Sequence, residues 1–117
     1  MIQVVGGKKF ERDVATKTVV WSIKRLSLSR IKGIDIFIKI KSLNNCAGYC
    51  EELNDDDRSF IIAVDNNQSL RDFVITVIHE MVHVRQYVRN KWEGDGETEA
   101  WSLQYSLADE LWKDNIL

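Results

Sequence analysis

The two histidines of the chain lie four residues apart in the sequence His79-Glu80-Met81-Val82-His83. On a helix, residues at this spacing stand one turn apart on the same face, so both imidazoles can bind one metal ion. Glu80 lies about 100° further round the helix, from where it can reach a water in an open coordination position. The pattern predicts a zinc ion bound by His79 and His83, with Glu80 as the general base that activates the water.

A catalytic zinc ion needs a third protein ligand, and the chain offers two carboxylates shortly after the histidines. Glu97 and Glu99 both fall in the first turn predicted for the next helix. A helical wheel places Glu97 on the apolar face of that helix and Glu99 on its polar side. A carboxylate on an apolar face needs a counter-charge, which a metal ion supplies. We therefore expect Glu97 to be the third ligand. Glu99 is the alternative, and the helix dipole alone also favours acids in a first turn.

The HExxH helix, followed by Glu97-Thr98-Glu99-Ala100-Trp101, resembles a minimal zincin metallopeptidase of the gluzincin kind. In HtpX-type and ImmA/IrrE-type peptidases the glutamate ligand stands three residues before an alanine, which corresponds here to Glu97 and Ala100. Those families usually follow the alanine with Asp or Asn, whereas this chain has Trp101. The order of elements and the segment 77–86 also resemble SprT-like domains, in which the third ligand is usually a histidine.

The resemblance implies a zinc-dependent metallopeptidase that hydrolyses peptide bonds of a peptide or protein substrate. Zinc would polarise the scissile carbonyl, and Glu80 would take a proton from the attacking water. The reaction also needs a donor to the developing oxyanion. Tyr87, one turn beyond His83 on the same face, is the first candidate, and Tyr105 is the second.

The elements that must position these residues can be predicted from periodicity and turn signals. The sequence predicts an amphipathic helix over residues 10–30, a half-buried strand over 34–41, a short strand over 47–53 and another over 59–64. Ser69 is expected to cap the HExxH helix, which runs to about Asn90, and the last helix covers 97–112. Together these form a zincin-like α+β domain over residues 1–117, in which the sheet has about three antiparallel strands. The acidic segment 54–57 is expected to be a solvated turn.

Length and composition are those of one globular domain, with 117 residues, 44% hydrophobic and 29% charged. No apolar run approaches the roughly 20 residues that span a bilayer. The first residues lack the pattern of a signal peptide, so we expect a cytoplasmic protein that does not contact membranes. Cys46 and Cys50 are too few for a disulfide scaffold and are expected to be reduced core thiols on or near a strand.

Charge is distributed unevenly along the chain, whose net charge is −2. Residues 1–45 hold ten lysines and arginines and three acids, a net charge of +7, and the remaining residues hold six and fifteen, a net charge of −9. A basic segment can contact nucleic acid or an acidic partner, although it can equally be a solvated surface. An alternative function is therefore a metal-stabilised binding module that cleaves nothing and contacts nucleic acid or a partner protein through its basic half.

Overall fold

The computed structural model describes residues 1–53, 58–91 and 94–117. The predicted turn at 54–57 lies outside these described residues. Within these residues seven elements follow one another, in the order β1 (Ile2–Gly6), α1 (Lys9–Arg25), β2 (Asp35–Lys41), β3 (Gly48–Leu53), β4 (Ser59–Asp65), α2 (Leu70–Arg89) and α3 (Glu97–Lys113). The architecture is α+β, as the sequence predicts.

The sheet has four strands in the order β1-β2-β4-β3, and its strand directions are mixed. β1 pairs with β2 in parallel, β2 pairs with β4 in parallel, and only β3 and β4 are antiparallel. The prediction of about three antiparallel strands is therefore wrong in number and in direction. The short strand β1 was missed, and α1 is the crossover that makes its pairing with β2 parallel. β4 then lies between β2 and β3, so these two strands are not neighbours although they follow one another in sequence.

Alternate residues of the central strands point toward the helices and form the core. Ile36, Ile38 and Ile40 of β2 are buried, as the alternating sequence predicts. Phe60, Ile62 and Val64 stand opposite them on β4 and are buried on the same face. Helices α1 and α2 cover this face of the sheet.

Helix α1 ends earlier than predicted, at Arg25 instead of near Arg30. Ser27 adopts a left-handed backbone conformation with φ of 60°, and the amide of Leu28 donates to the carbonyl of Ile23. Leu26 and Leu28 are nevertheless buried. The apolar pattern therefore continues past the end of the helix, because the turn itself packs into the core.

Helix α2 begins and ends as its sequence predicts. The Ser69 hydroxyl oxygen accepts a hydrogen bond from the Asp72 amide at 3.1 Å, which caps the first turn. Asn90 ends the helix in a left-handed conformation. The helix lies between the sheet and α3, so it is buried on most of its circumference. In the described part of the chain, no helix is both long enough and apolar enough to span a membrane.

The register of β4 can be tested with two neighbouring isoleucines. Ile62 is fully buried on the inner face of the sheet, whereas Ile61 is half-buried on the outer face. Ile62→Ala should lower the free energy of unfolding by about 2–5 kcal/mol, because it leaves a cavity in the core. Ile61→Ala should cost clearly less. Denaturant unfolding measures both, and equal or reversed losses would contradict this register, since a slip of one residue exchanges the two faces.

Candidate metal centre

Helices α2 and α3 bring three potential metal ligands together. His79 and His83 project from α2, and Glu97 is the first residue of α3. The Nε2 atom of His79 lies 3.0 Å from Oε2 of Glu97, and that of His83 lies 2.8 Å from Oε1. One ligand atom from each residue can be chosen so that all three lie within 4.8 Å of one another. The carboxylate therefore faces both imidazoles at once.

Glu99 does not join this cluster. Its Oε1 atom accepts a hydrogen bond of 2.9 Å from Nε2 of Gln86, and its Oε2 atom lies 3.7 Å from the guanidinium of Arg85. The expectation that Glu99 points to solvent is therefore met only in part, because its half-exposed side chain is held by two residues of α2. Of the two carboxylates that the sequence offers, Glu97 is the one that reaches the histidines.

The other nitrogen of each imidazole faces a glutamine. Nδ1 of His79 lies 2.8 Å from Oε1 of Gln104, and Nδ1 of His83 lies 2.8 Å from Oε1 of Gln86. An amide oxygen only accepts hydrogen bonds, so each Nδ1 must carry the proton. A neutral imidazole with its proton on Nδ1 has a free lone pair on Nε2, the atom through which it can bind a metal ion beside the Glu97 carboxylate. The donor set therefore fits a metal ion.

Gln86 also links the two helices that carry the ligands. Its side chain is 4% exposed. The amide nitrogen donates to the carbonyl of Gly96 at 3.0 Å as well as to Glu99. Gly96 has φ of 81°, and a side chain there would overlap the Gln86 amide. The glycine thus lets the loop approach closely, and Gln86 fixes both His83 and the residue that precedes Glu97.

Sequence reasoning did not identify either glutamine as part of the site. Neither the HExxH spacing nor the helical wheel of the last helix indicates a role for them. A signal was nevertheless present, since each is a polar residue on a helix face that is otherwise buried. Buried amides need partners, so such residues are candidates for supporting a neighbouring site.

Glu80 is buried beside the cluster but is not a member of it. Its side chain is 4% exposed, and a Cβ atom added to Gly48 of β3 would lie 3.4 Å from its Oε2 atom. Burial, and then the charge of Glu97, raise the pKa of Glu80 to about 8. A carboxyl whose pKa lies near neutrality can both accept and donate a proton at physiological pH. This placement suits a general base better than a ligand.

These residues line one cavity of about 810 Å³ between α2, α3 and β3. Both tyrosines proposed as oxyanion donors reach it, since Tyr87 and Tyr105 are among its lining residues. The Tyr87 ring packs 5.7 Å from that of Phe60, and burial, followed by the neighbouring Cys50, raises the pKa of its hydroxyl. Neither role is tested by this placement, so both stay predictions.

The two cysteines border the same cavity as free thiols. Cys50 is on β3 and partly buried, and burial together with the nearby Glu80 raises the pKa of its thiol. Cys46 precedes β3 and is exposed, so the prediction of a core thiol is wrong for this residue. The segment before β3 lies at the surface of the cavity and not under the helices.

Exchanging each carboxylate in turn tests which one binds metal. Glu97→Ala should weaken zinc binding by more than the 10–100-fold that loss of an outer-shell partner costs, because only two histidines remain. Glu99→Ala is the matched control on the same helix turn and should change the affinity only a few-fold. Competition with a chromophoric chelator measures both dissociation constants. A larger loss in the Glu99 variant would reverse the assignment.

The glutamines provide a second test. Gln86→Ala and Gln104→Ala should each weaken zinc binding about 10–100-fold, because the Nδ1 proton of one ligand loses its acceptor. Only Gln86→Ala should also speed hydrogen exchange of the Ala100 amide, which donates to the Gly96 carbonyl at the start of α3. Unchanged zinc affinity in both variants would show that the amides do not support the ligands.

No protein-family model, curated protein or solved structure matches this chain. The interpretation of the metal centre therefore rests on its own geometry.

Proposed function

We propose that the protein is a zinc-dependent metallopeptidase with a zincin-like fold. The observation that carries the proposal is the position of Glu97, whose two carboxylate oxygens face Nε2 of His79 and of His83. Glu80 lines the same cavity without belonging to the ligand cluster. Three ligands and a separate buried carboxyl are the components that metal-assisted hydrolysis requires.

Zinc is the metal ion that we propose for this site. Two imidazoles and one carboxylate suit zinc, and three protein ligands leave a coordination position for water or substrate. Zinc bound there would polarise a carbonyl group and lower the pKa of a water molecule. The residues of the chain then have to orient the substrate and move protons.

Glu80 is the residue proposed to move the proton. Its carboxylate would accept a proton from the attacking water and later donate it to the amine that leaves when the peptide bond breaks. The burial that raises its pKa makes Glu80 a stronger base, which favours acceptance of the proton from water. Tyr87 and Tyr105 are the candidate hydrogen-bond donors to the oxyanion.

The edge of the sheet supports a peptide as substrate. β3 is the last strand in the sheet order, and among the described residues only β4 pairs with it. Residues Gly48, Tyr49 and Cys50 of this strand line the cavity. An exposed edge strand can pair with an extended peptide through backbone hydrogen bonds. A substrate bound in this way would pass directly in front of the ligand cluster.

Nucleic-acid binding through the basic half of the chain stays a prediction. Lys17 and Lys24 lie on α1, which covers the inner face of the sheet, whereas Lys39 and Lys41 are exposed residues of β2 that alternate with its buried isoleucines. Arg25 forms an ion pair with Glu110 of α3 at 3.2 Å. These residues lie on opposite sides of the sheet, so this alternative has less structural support than the peptidase.

The proposed general base can be tested separately from metal binding. Glu80→Gln should retain one equivalent of zinc but lose peptide hydrolysis by about 10²–10⁴-fold, because the amide cannot accept the proton. Elemental analysis and cleavage of a mixed peptide library measure the two properties. Removal of zinc from the wild-type protein by a chelator should abolish cleavage, and added zinc should restore it.

Asp13→Asn is the control, since Asp13 is an exposed carboxylate of α1 outside the set of cavity-lining residues. This variant should keep both zinc and activity. Loss of zinc from Glu80→Gln would make Glu80 a ligand. Equal activity of Glu80→Gln and wild type would overturn the peptidase mechanism proposed here.

A further inference from the structure

We propose that the cavity beside the metal centre selects peptides with a lysine or arginine side chain close to the scissile bond. This inference rests on the proposed peptidase function and adds the class of substrate. Its support comes from three features of the cavity, namely the groove between α2 and α3, the exposed aromatic rings along it and the charges of its lining residues.

Helices α2 and α3 run antiparallel and form the walls of a groove that leads away from the ligand cluster. Glu97 contacts His83, Gln104 contacts His79, and Asp109 contacts Arg71. Residues later in α3 therefore lie beside residues earlier in α2. Tyr105 therefore lies beside the part of α2 between Arg71 and His79. Asp72, Ile75 and Thr76 are the α2 residues that line the cavity there.

Two aromatic side chains of α3 line this groove with much of their surface exposed. Trp101 is 57% exposed, and its ring lies 5.7 Å from the His79 ring in an edge-on orientation. Tyr105, one turn later, is 53% exposed. Aromatic rings at such a site can pack against the stem of a long side chain and attract its cationic end. The rings thus suit a lysine or arginine as well as an apolar side chain.

The charge of the cavity favours a cationic side chain over an apolar one. Its described lining residues include the carboxylates of Asp72, Glu80, Asp95 and Glu97, and none of them is a lysine or arginine. Two cations of α2 are paired with other acids, since Arg71 contacts Asp109 at 2.9 Å and Arg85 lies 3.7 Å from Glu99. A divalent metal ion would offset the charges of Asp95 and Glu97, and the groove beyond it would keep the charge of Asp72. A cationic side chain is therefore the complementary occupant.

Asp72 is positioned at a suitable distance for this recognition. It lies seven residues before His79, which places it on the same helix face and about 10 Å away along the axis. An extended peptide advances about 3.3 Å per residue, and a lysine or arginine side chain spans a further part of the distance between His79 and Asp72. A basic residue adjacent to the scissile bond would thus cross the Trp101 and Tyr105 rings and bring its charge to Asp72.

Peptide binding to the zinc-loaded Glu80→Gln protein tests the inference without turnover. Three fluorescent peptides of equal length carry lysine, norleucine or glutamate next to the central bond. Each is made in two versions, with this residue before the bond or after it. Norleucine keeps the apolar stem of lysine and removes its charge. The lysine peptide should bind about tenfold more tightly than the norleucine peptide by fluorescence anisotropy, and the difference should shrink at high salt. The glutamate peptide should bind most weakly.

Variants of the groove should reduce this preference while zinc stays bound. Asp72→Asn, Trp101→Leu and Tyr105→Leu should each lower the ratio of lysine to norleucine affinity several-fold. The controls are Asp13→Asn, an exposed carboxylate on α1, and Trp112→Leu, an exposed tryptophan of α3 outside the cavity. Both should leave the ratio unchanged. Asp72→Asn keeps the test valid if an aromatic variant fails to fold.

The outcomes separate the two proposals. Tight binding of the lysine peptide, reduced in the groove variants alone, supports the inference. Equal affinities for the lysine and norleucine peptides would overturn it, although the peptidase function would stand if the wild-type protein cleaves both. Failure of every peptide to bind or be cleaved by the zinc-loaded protein would overturn both proposals.

Discussion

An imidazole ring on the buried face of a helix is costly unless both of its nitrogens have partners, and α2 carries two such rings one turn apart. The glutamine oxygens satisfy Nδ1 of each ring, and the Glu97 carboxylate faces both Nε2 atoms. A positive charge between the carboxylate and the two Nε2 atoms would stabilise this arrangement. The first turn of α3 positions Glu97 so that its two oxygens face both histidines.

Gln86 links the histidines of α2 to the loop that precedes Glu97. Its carbonyl oxygen orients His83, and its amide nitrogen binds the Gly96 carbonyl directly before Glu97. The left-handed conformation of Gly96 allows the two backbones to meet without a side chain between them. One buried amide therefore couples a ligand on α2 with the loop that delivers a ligand on α3. Within the described residues, no buried side-chain nitrogen or oxygen lacks a hydrogen-bond partner.

Helix α2 contributes to the core with one side and carries the candidate site residues on other sides. One side of α2 packs apolar residues such as Val77, Ile78 and Met81 into the core, which holds the helix rigidly against the sheet. The histidines face α3, and Glu80 is buried near β3. Burial of Glu80 disfavours its charged form, so this carboxyl is a cost to the fold that the surrounding apolar packing offsets. A buried carboxyl with a raised pKa in a cavity is a candidate for proton transfer.

Much of the candidate site could be predicted from the sequence because it depends on local interactions. The HExxH spacing, the Ser69 cap and the apolar periodicity of α2 depend on residues within a few positions of one another, so they predicted the helix and the face that bears both histidines. The helical wheel of α3 similarly favoured Glu97 over Glu99. The resemblance to zincin peptidases and the zinc ion itself stay predictions, since nothing observed in the fold tests them.

Only the tertiary structure decided the direction of the strands and the partners of the ligands. The order β1-β2-β4-β3 depends on pairing between residues far apart in sequence, and the alternation of apolar residues is the same for parallel and antiparallel neighbours. The roles of Gln86 and Gln104 likewise follow from the packing of α3 on α2. Periodicity shows which side of a helix is buried, but it does not show which atoms of another helix lie opposite, because that depends on the loop and the crossing that join them.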